Sequence, residues 1–317
     1  MESEGRQLIK RNTLVKLFFS IVAVFAITFC ATNLIENFDS LLKLQWWNHP
    51  WLLLVHLSFL SLLFFTFVVG WSVALRVCGQ SFSFAGAAYC WLVANAGKYI
   101  PGKIFMFAGR LFLCSKIDIR QSACFWALVL EHFFMLLAAL PFLVPVFLQG
   151  YMPDAIFIYA LCGIVFVTLL LAVKPAFFAG LINKMLRRMK REPLHTVLSS
   201  SKILLLVGVY FVAWILYGLS GVILINVLEI KTTLSSIVTA SVFVVSWLVG
   251  FFSMLTPGGI GVREATLVLL LQPSVAVPHA LGLALLARAT WTIIEIAGAG
   301  IGFWLGKGRI GDGKNNF

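Results

Sequence analysis

Two short stretches of the sequence place ionisable side chains beside proline and glycine. The first runs from Asn95 to Arg110 and contains Pro101-Gly102, with Lys98 and Lys103 on either side. Proline removes a backbone donor and clashes with the preceding helical turn, and glycine admits unusual dihedral angles, so a helix is expected to break here. The freed backbone groups and three cations suit an anionic ligand. The alternative is an ordinary loop whose lysines snorkel toward water.

The second stretch also follows an apolar run, and it reads Pro257-Gly-Gly-Ile-Gly-Val-Arg-Glu264. Its glycines allow the N–H groups of a new helix start to face outward, where the helix dipole favours an anion. Arg263 would add a bidentate fork for phosphate. The alternative is a tight turn between helices, in which Glu264 only caps its own helix. The candidate binding residues here are Pro257, Gly258, Gly259, Gly261, Arg263 and Glu264.

The composition indicates what surrounds these breaks. The chain has 317 residues, of which 61% are hydrophobic and only 11% charged. That is too little polar surface for a water-soluble domain of this size. Because backbone groups must be satisfied internally in lipid, long unbroken apolar runs predict membrane-spanning helices. We expect an all-α polytopic membrane protein.

Seven apolar runs are long enough to be candidate spans, and two more are interrupted at the breaks. The seven are residues 14–35, 51–77, 123–148, 155–173, 203–227, 235–255 and 279–305. The interrupted regions are 84–114 and 256–273, and the helical part of the second is too short to cross comfortably.

Loop charges predict the orientation of the chain. Residues 174–202 hold seven basic side chains against one acidic one, so this loop is expected on the cytoplasmic side. Both termini then lie inside if 84–114 is a re-entrant hairpin and 256–273 completes a short crossing. This gives about eight crossings in one membrane domain, with 14–173 as its first half and 203–305 as its second.

Four further ionisable residues fall inside predicted spans, namely Glu131, His132, Arg288 and Glu295. Charges within a membrane cost several kcal/mol unless they are paired or hydrated. Arg288 and Glu295 are two helical turns apart and share a face. We predict that these residues line a polar cavity with those of the two breaks, and a purely structural ion-pair lock is the alternative. His56 is expected to be a helix-contact histidine.

Other patterns are weaker. The breaks share Pro-Gly-x-Ile, 156 residues apart, which is compatible with a weak internal duplication of the kind found in transporters. Gly298, Gly302 and Gly306 recur at four-residue spacing and predict a helix-packing face. The sequence contains no HExxH or GxSxG motif, and the GxxxxGK at 308–314 lacks the following Ser or Thr. We therefore predict no catalytic residue, no metal ligand, no cofactor and no nucleic-acid partner.

The two motifs, with Glu131 between them, resemble the flippase-like membrane domain of the lysylphosphatidylglycerol synthase family. The resemblance covers nearly the whole chain, and Pro257 to Glu264 is its most specific part. It implies a lipid translocase of a prokaryotic cytoplasmic membrane, since family members move aminoacylated phospholipids or are associated with polyprenyl-linked glycans. It also implies a cavity lined by Arg110, Glu131, Arg263 and Glu264.

The sequence ends at Phe317 without a soluble synthase domain, so we expect no aminoacylation by this chain. The leading hypothesis is a transporter that holds a phosphate-bearing lipid headgroup between the breaks, with membrane lipids as its partners. An integral-membrane lipid-modifying enzyme and a scaffold for a glycosyltransferase or lipid synthase remain alternatives. The sequence leaves the oligomeric state open.

Overall fold

Long apolar runs of the sequence form long helices in the computed structural model, which describes residues 46–99, 104–147, 180, 199–253 and 256–310. The predicted spans 14–35 and 155–173, most of the basic loop 174–202, and Pro101, Gly102 and Lys103 lie outside these residues. Within them, every regular element is a helix.

Nine α-helices are described, with short 3-10 turns between some of them. They are α1 (Pro50–Val77), α2 (Phe84–Asn95), α3 (Ile104–Ser115), α4 (Gln121–Ala139), α5 (Leu143–Phe147), α6 (Ser200–Val227), α7 (Ser236–Phe252), α8 (Val262–Leu271) and α9 (Val277–Ile310). The 3-10 turns are Trp46–Asn48, Ala96–Tyr99, Leu140–Phe142 and Pro257–Gly259.

Four described stretches are apolar and long enough to cross a membrane, namely Pro50–Val77, Gln121–Phe147, Ser200–Val227 and Val277–Lys307. At about 1.5 Å per residue each exceeds the roughly 30 Å of a hydrocarbon core. The predicted spans 51–77, 123–148, 203–227 and 279–305 are therefore confirmed as long apolar helices.

The predicted span 235–255 is shorter in the structure. Helix α7 begins where the Ser235 side chain accepts a hydrogen bond from the Val238 N–H, and it has 17 residues. It ends at Phe252 because Ser253 turns to an extended backbone, with φ −69° and ψ 100°. The helix therefore ends three residues before Leu255, where the predicted span ends.

The same order of elements surrounds both breaks. A long helix is followed by a short helix, a 3-10 turn, a second short helix and another long helix, as α1 to α4 and again as α6 to α9. The two 3-10 turns contact each other, and α1 packs along α6. This order is the one that the predicted internal duplication requires, and the duplication itself stays a prediction.

Polar and aromatic contacts join the long helices. His56 of α1 lies 2.8 Å from the Ser220 carbonyl oxygen of α6 and 2.9 Å from the Thr290 hydroxyl of α9. The expected role of His56 as a helix-contact residue is confirmed. Elsewhere on α6, the fully buried Trp214 donates its indole N–H to the Met135 carbonyl in the last turns of α4.

The row of glycines on α9 is covered by α2. A Cβ at Gly302 would lie 2.8 Å from the Leu92 Cβ, and one at Gly306 would lie 2.4 Å from the Tyr89 ring. The predicted helix-packing face is confirmed, and its partner is a helix of the same chain. This close approach brings the end of α2, and the break that follows it, against α9.

Gly302→Ala should therefore destabilise the protein. Alanine is favoured over glycine in a helix by about 1 kcal/mol, but overpacking costs about 1–3 kcal/mol. Thermal unfolding of the purified protein in detergent measures the difference. Gly300→Ala is the matched control because nothing lies within 4 Å of its added Cβ. Equal unfolding temperatures for the two variants would contradict the proposed packing.

Candidate functional site

A cavity of about 70 Å³ lies between the two breaks, and several helices contribute to its wall. It has room for a few water molecules or one phosphate-sized group, and it is too small for an entire lipid. Its polar lining residues are Asn95, Lys98, Arg110, Glu131, His132 and Arg263. Its remaining lining residues are Phe67, Trp91, Met106, Met135, Trp247, Gly250, Phe251, Gly258 and Trp291. The wall is thus mostly apolar, with five Phe and Trp rings, and it carries charges at a few positions.

The most deeply buried charges are Arg110 of α3 and Glu131 of α4, which are 1% and 3% exposed and form an ion pair. The Trp91 indole donates to the second oxygen of Glu131 at 2.7 Å. The Arg110 guanidinium lies 4.7 Å from the centre of the Trp71 ring. Because each group has a partner of opposite charge or an aromatic face, the pair is tolerated at this depth, and it joins α2, α3 and α4.

Glu295 of α9 binds the end of α2 and the first break. Its carboxylate accepts hydrogen bonds from the Asn95 amide at 3.1 Å, from the Lys98 amine and from the Tyr99 hydroxyl. The Lys98 amine also lies 5.5 Å from the centre of the Trp291 ring. One carboxylate therefore holds three polar side chains between Asn95 and Tyr99.

Arg263 lies in the first turn of α8 and is 7% exposed. Its Nη2 group donates to the Tyr217 hydroxyl. Its guanidinium stacks near the Trp291 and Tyr217 rings, at 4.5 and 5.3 Å from their centres. Among the residues that the structure describes, no carboxylate lies within 4 Å of it. Arg263 is thus a buried cation that rests on aromatic rings.

Glu264 and Arg288 connect the second break to α9. One oxygen of Glu264 accepts from the Gly261 N–H at 2.6 Å, so this residue caps its own helix, as the alternative interpretation of the sequence had it. Its other oxygen lies 3.8 Å from Arg288 Nε. Arg288 donates to the Gly258 carbonyl at 3.3 Å and faces the Tyr99 ring of the first break. The chain's own carboxylate therefore occupies the position at the helix start where an anion was expected.

Glycine is required in the second break for two reasons. Gly258, Gly259 and Gly261 have φ values of 58°, 73° and 84°, a region that side chains disfavour. A Cβ at Gly259 would also lie 2.6 Å from the Gly250 carbonyl oxygen of α7. These residues let the turn fold back onto α7, which directs Arg263 toward the cavity.

The predicted site residues fall into three groups according to their position relative to the cavity. Asn95, Lys98, Arg110, Glu131, Gly258 and Arg263 line the cavity. Glu295, Arg288 and Glu264 hold the breaks around it through the contacts above. Pro257, Gly259 and Gly261 form the turn, and Lys103 lies outside the described residues.

Aromatic partners of the charges were not predicted. Trp91 and Tyr217 come from helices whose proximity the sequence does not reveal. Trp291 could have been predicted as a site residue, because it lies three residues after Arg288 and four before Glu295, on the same helix face. In the described part of the chain, no group of three or more His, Cys, Asp and Glu residues could hold a metal ion.

The long apolar helices and the cavity define a multi-pass helical membrane protein. A family model described as the lysylphosphatidylglycerol synthase TM region matches residues 13–298, about nine-tenths of the chain. The chain therefore belongs to this lipid-related membrane family, which confirms the resemblance noted in its motifs. A search of curated proteins found no match.

Breaking the Arg110 and Glu131 pair should destabilise the protein by about 3–5 kcal/mol, because one charge is left buried without its partner. Glu131→Gln keeps an acceptor for Trp91, so its effect isolates the lost charge. Arg110→Met with Glu131→Gln should be less destabilising than the sum of the single changes. Thermal unfolding in detergent provides the comparison, and additive effects would argue against a coupled pair.

Gly259→Ala should distort the second break, because it adds a positive-φ penalty of about 1–3 kcal/mol to a backbone clash. The unfolding temperature should fall, whereas Gly208→Ala in α6 should not lower it, since its Cβ meets nothing within 4 Å. A Gly259→Ala protein as stable as the Gly208→Ala control would show that the turn does not need glycine.

Proposed function

We propose that this chain binds a phosphate-bearing lipid headgroup in the cavity and moves the lipid between leaflets, while its acyl or prenyl chains stay in the bilayer. The observation that carries the proposal is Arg263, a buried cation that lines the cavity without a carboxylate in the described residues within 4 Å. Membership of a lipid-related membrane family supports a lipid as the ligand.

The charges divide into two roles in this proposal. Arg263 makes the first contact with the phosphate, and Lys98 and Arg110 are close enough to the same cavity to join it. Glu131 and Glu295 keep those two cations neutralised when no headgroup is bound. A phosphate that enters competes with the carboxylates for the cations, so binding and a rearrangement of the ion pairs are coupled.

The broken segments supply the moving parts. Helices α2 and α3 have 12 residues each, or about 18 Å, and α8 has 10. We propose that α2 and α3 form a re-entrant hairpin that meets the second break at the cavity, and that α8 completes a short crossing. A change at one break is transmitted to the other because Arg288 contacts both the Gly258 carbonyl and the Tyr99 ring.

The remaining parts of the proposal follow from the sequence. The lipid leaves chemically unchanged, and the protein lies in a prokaryotic cytoplasmic membrane with both termini inside. A lipid synthase or glycosyltransferase would supply or consume the lipid on one side.

Reconstitution into vesicles tests the transport function. Acyl-labelled phosphatidylglycerol and phosphatidylethanolamine, quenched from outside by dithionite, report movement between leaflets. At least one of these lipids should move faster than in protein-free vesicles. Arg263→Gln should slow it at least about tenfold, since hydrogen bonds to charged groups contribute about 1.5–3 kcal/mol.

Arg120→Gln is the matched control, because Arg120 is exposed at the start of α4 and away from the cavity. It should transport at the wild-type rate. Wild-type rates in a correctly folded Arg263→Gln protein would refute the site assignment. Rates no higher than those of protein-free vesicles for both lipids would refute the transport of phospholipids.

A further inference from the structure

The Glu131 carboxylate depends on a single cation. It accepts hydrogen bonds from the Arg110 guanidinium and from the Trp91 indole N–H. Among the residues that the structure describes, no other Lys, Arg or His nitrogen lies within 4 Å of it. Because Glu131 is only 3% exposed, bulk water cannot replace Arg110 as its partner. A ligand that draws Arg110 away therefore leaves this charge buried and uncompensated.

Glu295, which pairs with another cation of the cavity wall, is less dependent on that cation. When Lys98 leaves it, the Asn95 amide and the Tyr99 hydroxyl still donate to the Glu295 carboxylate. Glu131 would keep only the neutral Trp91 donor. The loss of a cation therefore costs more free energy at Glu131.

We propose that the protein carries one proton with each lipid, and that Glu131 is the carrier of this proton. When the headgroup phosphate enters, the hydrogen bond from Arg110 to Glu131 breaks and one from Arg110 to a phosphate oxygen forms. A proton from water on the side of entry then binds the Glu131 carboxylate. It returns to water on the other side when the phosphate leaves and the ion pair forms again. The inference rests on the proposed function and adds the ion that couples lipid movement to a gradient.

The physical reason is that the phosphate and Glu131 would share one cation. Arg110 and Glu131 both line the cavity of about 70 Å³, so a phosphate inside it lies close to both. Two negative charges at short range in a medium of low dielectric constant repel each other strongly, which favours a proton on one of them. The carboxylate takes it, because a phosphodiester is the stronger acid. The neutral acid can accept from Trp91 and donate its own O–H to the phosphate.

Several elements bring charged or titratable groups toward Glu131. Helix α4 packs against α1, α3 and α6. The groups close to Glu131 are Arg110 on α3, Tyr210 on α6, and Cys124 and His132 on α4 itself, and α1 adds the Trp71 ring against Arg110. Lys98 and Arg263 line the same cavity. Arg110 Nε and the Tyr210 hydroxyl are buried without a hydrogen-bond partner among the described residues, so both can donate to the water that delivers the proton.

His132 is the competing proton acceptor, because it also lines the cavity. Its Nδ1 lies 2.8 Å from the Leu128 carbonyl oxygen, so Nδ1 carries the hydrogen and Nε2 is free to accept one. The ring centre lies 5.0 Å from that of Phe107 and 5.7 Å from that of Phe251. A neutral imidazole in this setting needs no counter-ion, whereas a Glu131 that has lost Arg110 does. The proton is therefore assigned to Glu131.

Isothermal titration calorimetry counts the protons directly. Dihexanoylphosphatidylglycerol is titrated into the full-length protein in non-ionic detergent, at several values from about pH 5 to pH 8, each in two buffers of different ionisation enthalpy. The phosphodiester does not titrate in this range, so the difference between the buffers reports protons bound by the protein. Uptake should approach one proton per lipid within the range, and affinity should fall with rising pH, by up to about tenfold per pH unit.

Three variants identify the group that binds the proton. In Glu131→Gln, uptake and the pH dependence of the affinity should both disappear, because glutamine cannot be protonated. His132→Gln and the surface control Arg120→Gln should keep both. Uptake that is lost in His132→Gln and kept in Glu131→Gln would overturn the assignment. The wild-type and His132→Gln measurements decide the matter even where Glu131→Gln fails to fold.

The calorimetry separates this proposal from the one on which it rests. Binding of the lipid to the wild-type protein without proton uptake at any pH in the range would overturn the coupling and leave the headgroup site intact. The absence of lipid binding would contradict the headgroup site, and the coupling with it. Proton uptake close to one, lost only with Glu131, supports both.

Discussion

A charge buried among apolar helices must be compensated at close range, and that constraint decides where the broken segments of this protein lie. Glu295 draws the end of α2 and the first break onto α9, because its partners Asn95, Lys98 and Tyr99 all lie there. Two turns earlier on the same helix, Arg288 reaches the carbonyl of Gly258 in the second break. One helix thus holds both interruptions, and the cavity is the space between them. The ion pairs hold the two breaks in place. A ligand that enters the cavity would have to compete with their carboxylates for the same cations.

Trp291 provides a common surface for the two breaks. Its ring lies 5.5 Å from the Lys98 amine and 4.5 Å from the Arg263 guanidinium, which come from opposite breaks. An aromatic face stabilises a cation without neutralising it, so Arg263, which has no carboxylate within 4 Å among the described residues, remains attractive to an anion. Close packing at two glycines allows both breaks to approach Trp291. Gly302 lets α2 approach α9, and Gly259 lets the second break fold against α7. The site therefore depends on close backbone contacts at glycines, which themselves have no side chain that could bind a ligand.

The sequence predicts the long helices well, because an unbroken apolar run of about 20 residues has few alternatives in lipid. It also predicts both interruptions from proline and glycine. It does not predict that α7 stops at Phe252, since Ser253 carries no strong stop signal. For the site, a position near a break or inside a predicted span identifies the charged residues, but their pairing depends on helices that meet only in the folded chain. Asn95 and Glu295 are 200 residues apart, and the Trp91 contact to Glu131 joins two helices. Glu264 shows most clearly where prediction from the sequence stops. A glutamate that caps its own helix and a glutamate that contacts a ligand have the same sequence pattern.

The central claim is that the cavity between the breaks holds a lipid phosphate through Arg263. Mass spectrometry of the lipids that remain bound to the protein after purification from the membrane tests it without a choice of probe. The account predicts a phosphate-bearing lipid enriched over the bulk membrane in the wild-type protein, and its loss from folded Arg263→Gln protein but not from Arg120→Gln protein. The same lipids, in the same amounts, on wild-type and Arg263→Gln protein would contradict it.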